Sequence, residues 1–141
     1  MGKRRKAREA ALQVLFQTEF NDNSVGDILN LFWKNKKADK EIREFSRALV
    51  ENVLAHKEEI DSAIQFVSEH WRVSRMAVID RCILRMAVSE LVFDKDIPPA
   101  IVINEAIEIA KKYSSTKSAT FINGILDAVK KKSLSKNGKD V

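Results

Sequence analysis

The sequence predicts an all-α protein of about seven helices. Three observations carry this. Apolar residues recur at intervals of three and four through most of the 141 residues. Only four glycines and two prolines interrupt them, too few for a turn-rich β fold. No segment sustains the alternation of a strand.

The first element is Lys3 to Phe20. Its front is cationic (Lys3, Arg4, Arg5, Lys6, Arg8) and its back is anchored by Leu12, Leu15 and Phe16. Arg4, Arg8, Ala11 and Leu15 share one stripe, so the cationic end is expected to project into water or onto an anionic partner. Asn21-Asp22-Asn23 breaks the helix. Ser24, with Asp27 three residues on, opens a short helix on Val25, Ile28, Leu29 and Phe32. Leu31 and Trp33 lie off that stripe. Lys34 to Lys37 reads as a basic linker, and Asp39 as the cap of a helix on Ile42, Phe45, Leu49, Val50 and Val53.

No Gly or Pro separates Asp39 from Trp71, yet one helix of that length is unusual. A break is expected at Ala55-His56-Lys57. The next stripe then runs Ile60, Ala63, Ile64, Val67, Trp71. Ser74 is expected to cap the following helix, whose apolar residues cover much of its circumference (Met76, Ile79, Ile83, Leu84, Val88, Leu91), as a central helix requires. Asp94-Lys95-Asp96 ends it, and Pro99 suits the first position of the next helix, which reaches Tyr113. A polar loop, Ser114 to Thr120, precedes a last helix on Phe121, Ile122, Ile125, Leu126 and Val129. Gly124 inside that helix costs roughly 1 kcal/mol against Ala, so close packing or backbone approach is expected there. A midline near Trp71-Arg72 divides a single domain, 1–141, into halves of about 1–71 and 72–141.

The net charge of +5 is uneven. Residues 1–8 carry five cations, and residues 130–141 carry five lysines against Asp140, leaving 9–129 at −4. An acidic body with basic ends suits nucleic-acid contact at the ends. No apolar run reaches the roughly 18 residues of a membrane span, and the polar, basic start is no signal peptide. A soluble, cytoplasmic protein without a membrane partner is expected. One cysteine, Cys82, excludes an internal disulfide. His56 and His70 have no companion at metal-ligand spacing, and no Gly-rich phosphate loop exists. No catalytic residue, metal or cofactor is expected, and the protein is not read as an enzyme.

Binding features are better populated. Arg4, Arg5 and Arg8 offer forked donors that match phosphate oxygens. Phe121, beside a polar loop, suits either the core or a stacked, unpaired base. The charges Asp80, Arg81, Arg85 and Glu90 punctuate an apolar helix, and they suit either internal ion pairs or a protein dock.

Three blocks of residues then carry a resemblance. The first is Arg4-Arg5-Lys6-Ala7-Arg8-Glu9 followed by Ala11-Leu12-Gln13-Val14-Leu15-Phe16. The second is Asp80-Arg81-Cys82-Ile83-Leu84-Arg85 through Leu91. The third joins Ile103-Asn104-Glu105-Ala106 through Tyr113 to Phe121-Ile122-Asn123-Gly124-Ile125-Leu126-Asp127. In this order and at these separations they resemble the NusB family of bacterial transcription antitermination factors. The resemblance implies two stacked three-helix bundles. It also implies binding to the single-stranded boxA element of nascent ribosomal RNA or phage transcripts. The implied protein partners are NusE, a small-subunit ribosomal protein, and NusA, NusG and RNA polymerase in a larger complex. The implied RNA contacts are Lys3, Arg4, Arg5, Lys6, Arg8 and Phe121, with Lys117 and Thr120 from the loop before it. The implied NusE contacts are Phe16 and Asp80. Ile122 and Ile125 replace valines frequent in the family, and Lys117 stands where some relatives are acidic. Two other readings stay open. One is the RNA-binding part of a ribosomal RNA cytosine methyltransferase, against which the charged tail is expected to be a natural end. The other is a homodimer that masks its own RNA surface.

Overall fold

The computed structural model describes residues 2–139, with side chains through Ser133; the tail side chains Lys136, Lys139 and Asp140 lie outside it. Among the described residues the chain forms seven α-helices and one 3-10 turn, with no strand. They are α1 (Lys3–Thr18), α2 (Val25–Trp33), α3 (Lys40–Ala55), α4 (Lys57–Val67), the turn Val73–Arg75, α5 (Val78–Phe93), α6 (Pro99–Tyr113) and α7 (Thr116–Lys139). None is long and apolar enough to cross a membrane.

The core is organised on α5. Ile83, Leu84 and Val88 are fully buried there, each contributing about 1.5–3 kcal/mol relative to exposure. Helices α5, α6 and α7 pack on one another as one three-helix group. Helices α1, α3 and α4 also pack on α5, with α1 against α3, α3 against α4, and α4 against α7 as well. Apolar side chains from both groups merge into one cluster, because α5 carries apolar residues on much of its circumference.

Local chemistry explains most boundaries. Ser24 Oγ accepts from the Asp27 N–H at 3.2 Å, the expected cap of α2. The long apolar stretch breaks at His56, as expected, with Glu58 and Glu59 in the first turn of α4. Pro98 flanks and Pro99 opens α6.

Several expectations need correction. Asp39 stands at the start of α3 without a side-chain capping bond; its carboxylate instead meets Lys3 Nζ at 3.0 Å. Helix α4 stops at Val67, so Trp71 is not on its stripe and is 60% exposed. Gln65 ends the helix by reaching forward. Its Nε2 donates to the Ser68 and Trp71 carbonyls, and its Oε1 accepts from the Val73 N–H. Ser74 lies in the 3-10 turn rather than capping α5; Arg81 Nη1 holds that turn through the carbonyls of Ser74 and Met76, both at 3.3 Å. The polar loop before Phe121 is short, because Ser115 Oγ accepts from the Ser118 N–H at 3.0 Å and starts α7 at Thr116. A Cβ added to Gly124 would meet nothing within 4 Å, so no packing inside the molecule requires this glycine.

The cationic end of α1 is also placed differently from expectation. It is helical from Lys3, and Arg8, expected to project, is only 3% exposed. Arg8 Nε donates to both carboxylate oxygens of Glu90 on α5 at 3.1 Å, and Nη2 lies 2.9 Å from Oε1. Removing one partner of a buried pair strands the other charge, at a cost of about 3–5 kcal/mol. Arg8→Ala should therefore lower unfolding free energy by about that much in a urea titration; a loss below about 1 kcal/mol would show that the pair is not a structural tie.

Candidate nucleic-acid interface

The five cations opening the chain divide into two groups. Arg5 and Arg8 face inward. Arg5 Nε donates to Glu105 Oε1 of α6 at 3.1 Å, and its Nη2 pairs with the other oxygen. Arg8 is closed by Glu90. Lys3, Arg4 and Lys6 are exposed. Lys3 makes surface pairs with Asp39 and Glu41, which are worth little in water and yield readily to a phosphate. The Arg4 guanidinium lies 5.2 Å from the Phe45 ring centre, with Arg8 at 5.3 Å from the same ring. The aromatic thereby holds one end of Arg4 while its donors stay in water.

A groove of about 730 Å³ runs beside these residues, between α1 and the segment that joins α2 to α3. Lys3, Lys6, Lys36 and Lys37 line it against Glu9 and Asp39, with half-buried Trp33 in its wall. Sequence reasoning treated Lys34 to Lys37 only as a linker. The missed signal was a basic run next to a tryptophan, which becomes meaningful once α1 brings its own lysines alongside.

The other expected contacts lie at the opposite end of α1 and at the start of α7. Lys117 and Thr120 are exposed on the first turns of α7, and Thr120 Oγ1 donates back to the Thr116 carbonyl at 3.2 Å. Phe121 is half-buried, with Trp71 edge-on at 6.5 Å between ring centres. Phe16 is 38% exposed, and its ring lies 5.1 Å from that of Phe20, itself 68% exposed. These two aromatics form an apolar patch open to a partner. Asp80 is different. It is 8% exposed and accepts from Ser114 Oγ and Ser118 Oγ, both at 2.9 Å. Its visible task is to fix the α6–α7 turn, which positions Lys117 and Phe121.

The remaining charges of α5 are internal. Arg85 clamps Asp61 with Nε at 2.8 Å and Nη2 at 2.9 Å, and reaches Glu19 with Nη1 at 2.9 Å. Arg81 Nη2 meets the same Glu19 oxygen at 3.0 Å. Burial pushes the Glu19 carboxyl up, but the two guanidiniums outweigh it and leave it below the ordinary range. The Arg5 hydrogen bond lowers Glu105 in the same direction. At Glu90 burial prevails over Arg8, and the carboxyl is raised. Cys82 is buried and its thiol is pushed up by burial to about 11, so it is a core residue with little thiolate at neutral pH. No group of His, Cys, Asp and Glu among the described residues could hold a metal ion.

Residues 5–131 match the model of the NusB family. The chain is 52% identical over 130 residues to the transcription antitermination protein NusB of Bdellovibrio bacteriovorus, covering 91% of this chain and 95% of that protein. Its fold matches that of T. maritima NusB with a TM-score of 0.84 at 39% identity, over 93% and 92% of the two chains. It also matches a chain in a crystal structure of antitermination factors NusB and NusE in complex with double-stranded RNA. There the TM-score is 0.83 at 32% identity, over 93% of this chain and 98% of the other.

The lowered carboxyls set an acid limit. A carboxyl held below its unfolded value adds stability that is full above about pH 4.3, the ordinary glutamate value, and is lost as pH falls through the folded value. Stability should therefore drop on acidification below about pH 4.3, and Glu19→Gln should make that drop shallower in urea titrations at a series of pH values. An identical pH profile in the variant would contradict this role for Glu19.

Proposed function

The chain belongs to the NusB family, and from that premise we propose that it is an RNA-binding transcription antitermination factor that acts with a NusE-type ribosomal protein. The family is one of antitermination factors and not of enzymes. The observation that carries the reading is the outward group of cations: Lys3 and Lys6 on one side of a groove whose other side adds Lys36 and Lys37, with Arg4 exposed nearby against Phe45. Held on a helix that is itself tied to α5 and α6, they form a fixed cationic end rather than a loose tail. Phosphates are the ligand such an end suits.

The RNA proposed is the single-stranded boxA element. Phe121 offers its half-exposed ring to an unpaired base, which a continuous duplex would keep stacked inside. Arg5 contributes with its charge shared with Glu105, and Arg8 contributes by position rather than contact. The NusE-type partner is placed on Phe16 and Phe20, with Asp80 shaping the neighbouring α6–α7 turn. Assembly with NusA, NusG and RNA polymerase in the cytoplasm completes the proposal.

Each phosphate contact on a single strand contributes about 0.7 to the salt slope of log affinity. A variant carrying Lys3→Ala, Arg4→Ala and Lys6→Ala should bind boxA RNA with a slope shallower by about 2, with its melting curve unchanged. The contrast with scrambled RNA, with and without NusE, measures how much sequence is read. Unchanged affinity and slope in the triple variant would remove RNA from this face.

A further inference from the structure

Beyond the cationic start of α1, a second face carries aromatics that the fold does not use. Phe66 is 66% exposed at the end of α4, and Trp71 is 60% exposed after it. Burying either against the core would have been favourable, yet both rings stay in water. Trp71 is not on a loose segment. Its carbonyl accepts from Gln65 Nε2 at 3.1 Å and from Ser68 Oγ at 2.9 Å. The backbone is pinned and the indole is held out.

The two rings face α7 at separate heights. Trp71 meets Phe121 edge-on, and Lys132 Nζ lies over the Phe66 ring. Residues 121 and 132 are eleven apart on one helix, about 16 Å at 1.5 Å per residue. Between them Gly124 leaves open space above the helix, where even an added Cβ would have no neighbour within 4 Å. Of the α7 lysines, Lys117 and Lys132 share the Phe121 face, Lys131 is paired with Asp127 at 3.0 Å, and Lys130 lines a hollow on the opposite side with Leu91 and Pro99. The face is therefore a shallow strip with rings along it and a lysine at each end.

We propose that this strip is a track for single-stranded RNA that continues past Phe121, with Trp71 and Phe66 as stacking platforms and Lys117 and Lys132 as phosphate partners. Rings spaced along a cationic strip are what a flexible single strand needs, since every base has a face to stack. The lysines at its two ends favour a polyanion over an apolar protein segment. The strip's length fits a few nucleotides. This inference rests on the RNA-binding reading above and adds a second region to it.

The test uses the full chain with Trp33→Phe, so that Trp71 is the sole tryptophan. Two RNAs are compared: a minimal boxA oligonucleotide and the same oligonucleotide with six uridines added at one end or the other. One extended RNA should bind about tenfold tighter than the minimal one and quench Trp71 emission. In Trp71→Ala, made in the unsubstituted chain, that gain should vanish while the minimal RNA binds as before. If neither extension adds affinity or changes Trp71 emission while the minimal RNA still binds, the track is overturned and the functional reading stands. If no RNA binds, both fall. If NusE alone shields Trp71, the face is a protein interface and the RNA track is overturned.

Discussion

The buried pair between Arg8 and Glu90 governs where the first helix can lie. Glu90 sits on the central helix among apolar neighbours, and a lone carboxylate there would cost several kcal/mol. Burial accordingly raises its pKa, opposed by the guanidinium that α1 supplies. Satisfying that one charge fixes the rotation of α1 on α5. Once Arg8 points in, Arg5 falls beside Glu105, Lys3 and Lys6 point out, and Arg4, one turn ahead of Arg8 on the same stripe, rests exposed on the Phe45 ring that Arg8 also meets. A binding face thus follows from a demand of the core.

The same demand recurs along α5. Arg85 is held between Asp61 and Glu19, and Arg81 joins Glu19 to the 3-10 turn. Asp80 holds two serines at the start of α7. Each pair ties α5 to a different segment: α1, α4, the turn before α5, and the α6–α7 junction. Three of those segments, α1, α4 and the α6–α7 junction, also present or flank a residue of the candidate interface, namely Arg4, Phe66 and Lys117, and Trp71 lies just ahead of the 3-10 turn. The central helix positions the surface through polar ties as well as apolar packing.

The helices were readable because burial imposes a period, and the stripes of α2, α3, α5 and α6 are unambiguous. The family resemblance and the matched relatives agree with that reading. The partners of the charges were not readable. Periodicity puts Arg8 on a face but does not reveal Glu90, 82 residues away. Trp71 continues the α4 stripe in sequence, yet α4 ends at Val67, and the Gln65 and Ser68 side chains hold the segment after it through the Ser68 and Trp71 carbonyls. The start of α7 was hidden because Ser-Ser-Thr-Lys reads equally as loop or cap, and only the bond to Ser115 decides. Phe121 reads from sequence as either core or surface, and it is half-buried, packed against the core cluster.

The division of α1 into an inward tie and an outward cationic end is tested most directly by removing the tie without removing the fold. Replacing both partners of a buried pair by apolar side chains of similar volume is often neutral or stabilising. The double variant Arg8→Met with Glu90→Leu should therefore melt near the parent temperature and bind boxA RNA within about twofold of it, since a surviving fold keeps Lys3, Arg4 and Lys6 in place. A loss of affinity of about tenfold or more, equal to roughly 1.4 kcal/mol, in a variant that melts normally would show that Arg8 itself contacts RNA, and would contradict the account.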